Sequence, residues 1–324
     1  MIKTQLIYIW KIFDMEKLVA IIDCGTNTFH LLIIQEQGDV AKELYRDRVA
    51  VRIGKGGISD GKIIPEAADR AITTLKDFKK TIDLYDVKEI HAFATSAFRN
   101  ASNGEDVRDL IMDRTGINIE IISGEREAEL IYEGVNAALA IGKEPALIMD
   151  IGGGSVEFII ATENDLLWKH SFEIGAQRLL DRFHQKDPIP GFEMLRMTEF
   201  LENNLQALFD AMAQHKPQTL IGSSGTFETL SDIYCEEHGI KYNENLTELP
   251  LSLAGYLKIH EQLMQASKEE RMAIPGMVEM RVDMIVVASY LIKFLLDRYD
   301  FHNIRVSTYA MKEGMLKQLS TQHF

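Results

Sequence analysis

Cysteine is almost absent from this chain of 324 residues: Cys24 and Cys235 are the only two. Two thiols so far apart make no disulfide framework and are too few for a thiolate zinc site, so a reducing compartment is expected. The nine histidines include no His-x-x-x-His pair and no His-Asp dipeptide, which argues against histidine-based metal hydrolysis. Basic charge is also short. Lys and Arg number 35 against 49 Asp and Glu, a formal net charge of -14, and non-specific binding of a nucleic acid polymer needs a basic face. An anionic substrate is still permitted, because a few basic groups, backbone amides and a divalent metal can make a positive cleft on an acidic body. No run is long and apolar enough to span a membrane. The stretch Leu6-Ile-Tyr-Ile-Trp10 is too short and has no small-residue cleavage site after it. With Met15 just ahead of the first clear strand, residues 1–14 read as an extension. The expectation is a cytoplasmic protein with no membrane contact.

What is present is a globular composition, 46% hydrophobic and 26% charged, enough for two ordinary cores. Apolar β-rich runs at Leu18–Ile22, Phe29–Ile34 and about 40–53 predict three strands. Helical spacing over 66–85 is followed by a strand at Glu89–Ala94, a helix at 104–115, a strand at Ile119–Ile122 and a helix at 125–141. The pattern then restarts. Strands are predicted at Ala146–Met149, 154–162 and 165–174, helices at 175–184 and 191–214, and a short strand at Thr219–Ile221. Long helices near 251–266 and 278–298, a strand at Ile304–Val306 and a last helix from 310 complete the chain. Three strands followed by alternating helices and strands, twice over, predicts an α/β protein of two similar halves with mixed sheets flanked by helices.

An ungapped internal match supports two halves. Asp23-Cys-Gly-Thr-Asn-Thr-Phe-His-Leu-Leu-Ile33 aligns with Asp150-Ile-Gly-Gly-Gly-Ser-Val-Glu-Phe-Ile-Ile160. Each begins with a strand ending in Asp, has Gly two residues on and a hydroxyl five residues on, and continues into a second apolar strand. A hairpin of small residues can aim several N–H groups at an anion without side-chain obstruction. Gly25, Thr26 and Asn27 in one turn and Gly152, Gly153 and Gly154 in the other are the candidate cradle, with Thr28 and Ser155 adding hydroxyl donors. Asp23 and Asp150 offer hard oxygen ligands for Mg²⁺ or Mn²⁺. Two such hairpins facing each other would grip one phosphate from both sides.

Rival phosphate motifs fail. Gly56-Gly-Ile-Ser-Asp-Gly61-Lys62 has the spacing of a P-loop, but Ile63 stands where Ser or Thr must hold Mg²⁺. No G-x-G-x-x-G follows a strand. The small-residue turn Gly222-Ser-Ser-Gly225-Thr226 precedes a helix; it suits either an anion at the helix start or ordinary capping.

The paired Asp-x-Gly hairpins resemble the actin, hexokinase and Hsp70 superfamily. More narrowly, the chain resembles the exopolyphosphatase and guanosine pentaphosphate phosphatase family. The resemblance rests on Asp23-Cys-Gly-Thr-Asn-Thr-Phe, Ala94-Thr-Ser-Ala-Phe-Arg99-Asn, Ile122-Ser-Gly-Glu-Arg-Glu127-Ala, Asp150-Ile-Gly-Gly-Gly-Ser-Val-Glu157, Gly222-Ser-Ser-Gly-Thr226, Glu279-Met-Arg281-Val-Asp283 and Lys312-Glu-Gly314, in family order from about 18 to 316. Cys24, Thr26 and Arg126 depart from the usual family residues without removing a needed donor or carboxylate. The chain ends where long members continue into His-Asp-type domains, so it resembles the short two-domain form.

The resemblance implies two actin-like (ribonuclease H-like) domains with the active site in the cleft between them: 15–124 plus 309–324, and 125–308, with hinges near 123–125 and 308–310. The last helix is expected to pack back on the first domain. It implies hydrolysis of a terminal phosphate, from inorganic polyphosphate or, alternatively, from guanosine pentaphosphate (pppGpp). An actin-like ATP-binding assembly protein is the reading from another class. Glu127 is implied as the base; the pattern alone would make it a helix-dipole glutamate, the role left to Glu125. Arg99 is implied to neutralise developing charge. Glu157 either orients a water or is an outward strand residue. Gly225 and Thr226 join the phosphate-binding set, and a homodimer is implied at family level. Arg52, Lys55 and Arg178 are candidates for an anionic track. Arg281 and Asp283 are expected to form an internal ion pair, and Met272–Met284 to fill the core.

Overall fold

The computed structural model describes residues 17–37, 40–243 and 245–321; the extension 1–14 lies outside them. Strands β1 (Lys17–Cys24), β2 (Phe29–Gln37) and β3 (Val40–Val49) form an antiparallel meander. Strands β4 (Glu89–Ala94) and β5 (Ile119–Ile121) add parallel to β1, giving the order β3-β2-β1-β4-β5. The second sheet repeats this plan. Strands β6 (Ala146–Ile151), β7 (Val156–Ala161) and β8 (Leu166–Phe172) form the meander, and β9 (Thr219–Ser223) and β11 (Asn303–Ser307) follow in parallel. The two-residue strand β10 (Glu248–Leu249) closes the edge, in the order β10-β11-β9-β6-β7-β8. This is the α/β, two-mixed-sheet architecture expected from the repeat.

The central strands are apolar on both faces because each sheet is covered twice. Side chains alternate between faces along a strand. Ala20, Ile22, Leu31 and Ile33 thus enter a core under helix Pro65–Leu84. Val19, Ile21, Leu32 and Ile34 face a middle core that also takes Ile148, Ile159 and Ile221 from the second sheet. Helix Gly124–Ala138 contributes Ala128, Ile131 and Val135 to this middle layer, and the last helix, Met311–Thr321, contributes Met311, Met315 and Leu319. The last helix lies chiefly along the Gly124 helix, with a smaller contact to β1.

Several boundaries differ from the sequence expectation. The helix expected over 191–214 is two, Gly191–Asn204 and Gln206–His215. The weak helix formers Asn203 and Asn204 precede the break, and Leu205, fully buried there, lets each arm turn its own apolar stripe inward. The segment expected as one helix from 278 begins with a tight 3₁₀ turn, Glu279–Arg281; the regular helix is Ile285–Leu296. Within the methionine-rich stretch Met284 is core, whereas Met272 is exposed. Short helices at Ser96–Asn100 and Lys268–Met272 carried no periodic signal. No described helix is long and apolar enough to cross a membrane.

The Gly124 helix and the last helix touch backbone to backbone at paired glycines. A β-carbon on Gly314 would stand 1.8 Å from the Leu130 carbonyl oxygen, and one on Gly134 would stand 2.0 Å from that of Ala310. Since neither helix can part without opening the middle core, Gly314→Ala is expected to destabilise the protein by about 3 kcal/mol, read as a lower midpoint in urea denaturation.

Candidate active site

The two hairpins are built alike. In the first, the Gly25 N–H donates to the Thr28 carbonyl at 3.1 Å; in the second, the Gly152 N–H donates to the Ser155 carbonyl at 3.0 Å. Each turn is also held from behind. The Thr26 and Asn27 carbonyls accept from the N–H groups of Gly54 and Arg52, at 3.1 and 2.8 Å. The carbonyls of Gly152, Gly153 and Gly154 accept from Ala176, Gln177 and Gly175, at 2.9, 2.9 and 3.1 Å, around the start of helix Ala176–Phe183. With the carbonyls engaged there, the N–H groups of Thr26, Asn27, Gly153 and Gly154 take no backbone acceptor among the described residues.

The hairpins meet tip to tip. A β-carbon on Gly153 would lie 2.3 Å from Asn27 Nδ2, and one on Gly154 would lie 2.6 Å from Thr26 Oγ1 and 2.4 Å from Ser96 Oγ. Only glycine allows this approach. Beside the contact opens a cavity of ≈ 190 Å³, lined by both turns and by Asp23, Asp150 and Glu127. Ser155 and Thr28 also line it, as does Gly225.

Four buried polar atoms in this wall have no hydrogen-bond partner: Thr26 Oγ1, Asn27 Oδ1, Arg48 Nε and Arg281 Nε. Buried polar atoms are rarely left so, and a polar ligand is what this wall lacks.

The electrostatics are those of crowded carboxylates. Burial, opposed by Lys312 and aided by the neighbouring Asp150 charge, lifts Asp23 to about 7. Burial raises Asp150 as well, opposed by hydrogen bonds from Ser224, which donates to Asp150 Oδ2 at 2.6 Å, and from Ser223. Glu127 stands in the first turn of the Gly124 helix. Burial and the Glu157 charge push it well above the usual carboxylate range, against the pull of Arg99. Neither Asp23 nor Asp150 has a basic nitrogen at ion-pairing distance among the described residues, so their hard oxygens suit a divalent cation. No group of three His, Cys, Asp or Glu forms a ready metal cage there. That fits a cation which takes one or two carboxylates and fills its remaining positions with phosphate oxygens and water.

Not every expected residue reaches the cavity. Glu157 sits directly across the β6–β7 ladder from Asp150, 1% exposed, accepting from Ser171 at 2.6 Å. It is inward, and it stands behind the cavity wall. The Arg99 guanidinium is turned onto Glu127 Oε2 at 3.0 Å and the Ile122 carbonyl at 3.1 Å, and it too lies behind the wall. Thr226 is buried in the first turn of helix Ser224–His238, outside the lining. Of the proposed track, Arg178 is spent on the Gly154 carbonyl at 2.8 Å, the Ile58 carbonyl at 3.1 Å and Glu173 at 3.1 Å. Arg52 and Lys55 do not line the cavity either. The expected Arg281–Asp283 pair does not form. Asp283 instead pairs with Lys268 at 2.7 Å; residues two apart do not face each other on a helical turn.

The cations that do line the cavity are Arg46, Arg48, Arg281 and Lys312. Arg46 and Arg48 alternate on β3 and so share a face, a signal the sequence did offer. Arg48 continues a row that runs Asp23, His30, Arg48 across three strands. Arg281 and Arg48 press on the start of helix Ser224–His238: a β-carbon on Gly225 would fall 1.9 Å from Arg281 Nη2 and 2.6 Å from Arg48 Nη2. Burial and then Arg48 lower Arg281 to about 10, still charged near neutrality. Burial, followed by Lys312, Arg48, Arg281 and Arg46, holds His30 well below its ordinary value, so it is neutral there.

Two matching sheets whose Asp-tipped hairpins close on one polar cavity define an actin-like protein. Comparison with known proteins narrows the class. The model of the Ppx/GppA phosphatase family matches residues 32–323. The chain is 27% identical over 318 residues to exopolyphosphatase 2 of Mycobacterium tuberculosis, covering 93% of this chain and 98% of that protein. The crystal structure of an exopolyphosphatase from Cytophaga hutchinsonii is 44% identical, with a TM-score of 0.91 over 94% of this chain and 98% of that one. A Ppx/GppA member from Aquifex aeolicus, 24% identical with a TM-score of 0.76 over 95% and 98%, shares the fold. The chain belongs to the Ppx/GppA phosphatase family.

Burial, the Asp150 charge and then the bonds from Ser171 and Ser155 together set Glu157 at about 8, against 4.5 for a free glutamate. Between those values the folded chain keeps a proton that the unfolded chain gives up, so stability falls as pH rises through that window and levels off above it. Glu157→Gln keeps the buried group neutral throughout. In thermal melts at a series of pH values its advantage over the wild type is expected to be absent below about 4.5, to grow up to about 8, and then to hold constant.

Proposed function

We propose that the chain is an exopolyphosphatase, removing the terminal phosphate of inorganic polyphosphate by attack of water. The observation that carries this reading is a buried glutamate, Glu127, in the wall of the cavity on which both phosphate-sized hairpin turns converge. A binding or assembly protein has no use for a high-pKa carboxylate there. A hydrolase needs a proton acceptor within reach of the attacking water.

In this reading the turn amides of Thr26, Asn27, Gly153, Gly154 and Ser155 hold the terminal phosphate, with the Thr28 and Ser155 hydroxyls beside them; the Gly25 N–H, donated to the Thr28 carbonyl, shapes the turn. Glu127 takes a proton from a water on the open side. The water oxygen bonds to the terminal phosphorus as the bond to the bridging oxygen breaks, and inorganic phosphate and a chain one unit shorter result. The departing end carries its negative charge towards Arg48, Arg281 and Lys312. Asp23 and Asp150 would hold a divalent cation, Mg²⁺ or Mn²⁺, which when bound supplies positive charge to the phosphate oxygens. Arg99 and Glu157 act on Glu127 from behind the wall and do not touch substrate.

Polyphosphate is favoured over pppGpp because four basic side chains, Arg46, Arg48, Arg281 and Lys312, continue from the cradle along the cavity lining. We further infer two domains, 15–124 with 309–324 and 125–308, closing about 123–125 and 308–310. Support comes from the sheet boundaries, since β5 ends at Ile121 before the Gly124 helix, and β11 ends at Ser307 before the last helix.

Phosphate release from long-chain polyphosphate and from pppGpp, each with Mg²⁺, tests the reading. Glu127→Gln is expected to cut kcat by about 10²- to 10⁴-fold with no loss of melting temperature; a near wild-type rate would refute the base assignment. Arg48→Gln is expected to lower kcat/KM for polyphosphate about tenfold in the same assay, the effect of one lost charge-assisted hydrogen bond, with part of the loss in kcat because Arg48 faces the charge that develops on the departing end.

A further inference from the structure

Glu173, the residue just past β8, has no part in the chemistry described above, yet three side chains converge on it. Its Oε2 accepts from Ser96 Oγ at 2.6 Å and from Arg178 Nη2 at 3.1 Å; its Oε1 accepts from Arg99 Nη2 at 3.3 Å. The same Arg99 gives its other nitrogen, Nη1, to Glu127 Oε2 at 3.0 Å, and its Nη2 also reaches Ser171 Oγ at 3.4 Å. One guanidinium is thus stretched between two carboxylates, one in the cavity wall and one outside it.

We propose that Glu173 is a positioning residue for the hydrolytic step: it anchors Arg99 so that the guanidinium holds Glu127 in place without giving it its full charge. The inference rests on the reading of Glu127 as the base.

The geometry favours an anchor over a chance surface pair. Glu173 approaches from the second sheet, while Ser96 and Arg99 come from the short helix beside the first. Ser96 and Arg178 fasten the far oxygen of Glu173, leaving Oε1 aimed at Arg99. Arg99 and Glu127 side chains are 17% and 11% exposed, so water screens their pairing little. The charged groups facing Glu127 are Arg99 from the helix after β4, Glu157 from β7 and Asp23 from β1. Of these only Arg99 attracts. Whatever draws on Arg99 from its other side therefore sets how firmly, and how electrostatically strongly, Glu127 is held. A base paired with an undivided guanidinium is a weaker proton acceptor.

Glu173→Gln removes the competing charge at nearly constant shape. The expected result for polyphosphate hydrolysis is a plateau kcat about tenfold lower and an acid limb of the kcat/KM profile moved about one unit towards lower pH. KM should stay within about twofold of wild type, since Glu173 does not line the cavity. Glu173→Asp, which restores the charge, should return the limb to its wild-type position, and thermal melts of both variants should match the wild type. A limb that stays fixed in Glu173→Gln, or a loss expressed wholly as KM, overturns the proposal. So does a loss that follows the melting temperature in both variants. If Glu127→Gln itself keeps near wild-type activity, the base assignment has failed, a result distinct from any of these.

Discussion

The architecture depends on how two glycine-bearing turns are fastened. A turn of small residues has little reason to hold one shape, and glycine loses more freedom on ordering than any other residue. Here each turn is pinned through its carbonyls, the first by the N–H groups of the 52–54 loop and the second by the start of helix Ala176–Phe183. Because buried backbone groups must be paired, this fastening fixes which way the remaining N–H groups face. It also fixes how near the turns can come. The close approach of Gly153 and Gly154 to the Asn27, Thr26 and Ser96 side chains leaves no room for a β-carbon, so the glycine backbone of the second turn packs directly on side chains of the first half.

Around that contact the charges are sorted into layers. The innermost are carboxyls of Asp23, Asp150 and Glu127, each raised chiefly by burial. Behind them stand Glu157 and Arg99, which act on the inner layer without entering the cavity. Along the side lie Arg46, Arg48, Arg281 and Lys312, with Glu228 against Arg48 at 3.5 Å. An acidic protein thereby presents one basic run at a single cleft. Net charge describes the body, and local packing decides the sign of the site.

The parts readable in advance were those written in contiguous sequence. The hairpins announced themselves because each is a single segment repeated with the same spacing, and their backbone bonds proved identical at Gly25–Thr28 and Gly152–Ser155. Glu127 was singled out by the family resemblance, since its local pattern alone reads as a helix-dipole glutamate, and it lies in the cavity wall. The cationic wall was not found, because Arg46, Arg281 and Lys312 come from three distant segments whose meeting is fixed by sheet order and by the packing of the last helix on the Gly124 helix. The Arg281–Asp283 expectation failed for a related reason: nearness along the chain does not set direction, since residues two apart do not face each other on a helical turn, and Asp283 found Lys268 instead.

By itself, then, the sequence determined the two-fold α/β plan, the two small-residue turns and the carboxylates at the strand ends before them. Each of these follows from periodicity or from residue size within a few positions. Only the tertiary structure decided which cations share the cavity, that Arg178 serves the scaffold, and that Arg99 turns to Glu127 and Glu173. Those outcomes turn on distances between side chains far apart in the chain, and such distances exist only once both sheets are packed on their common middle layer.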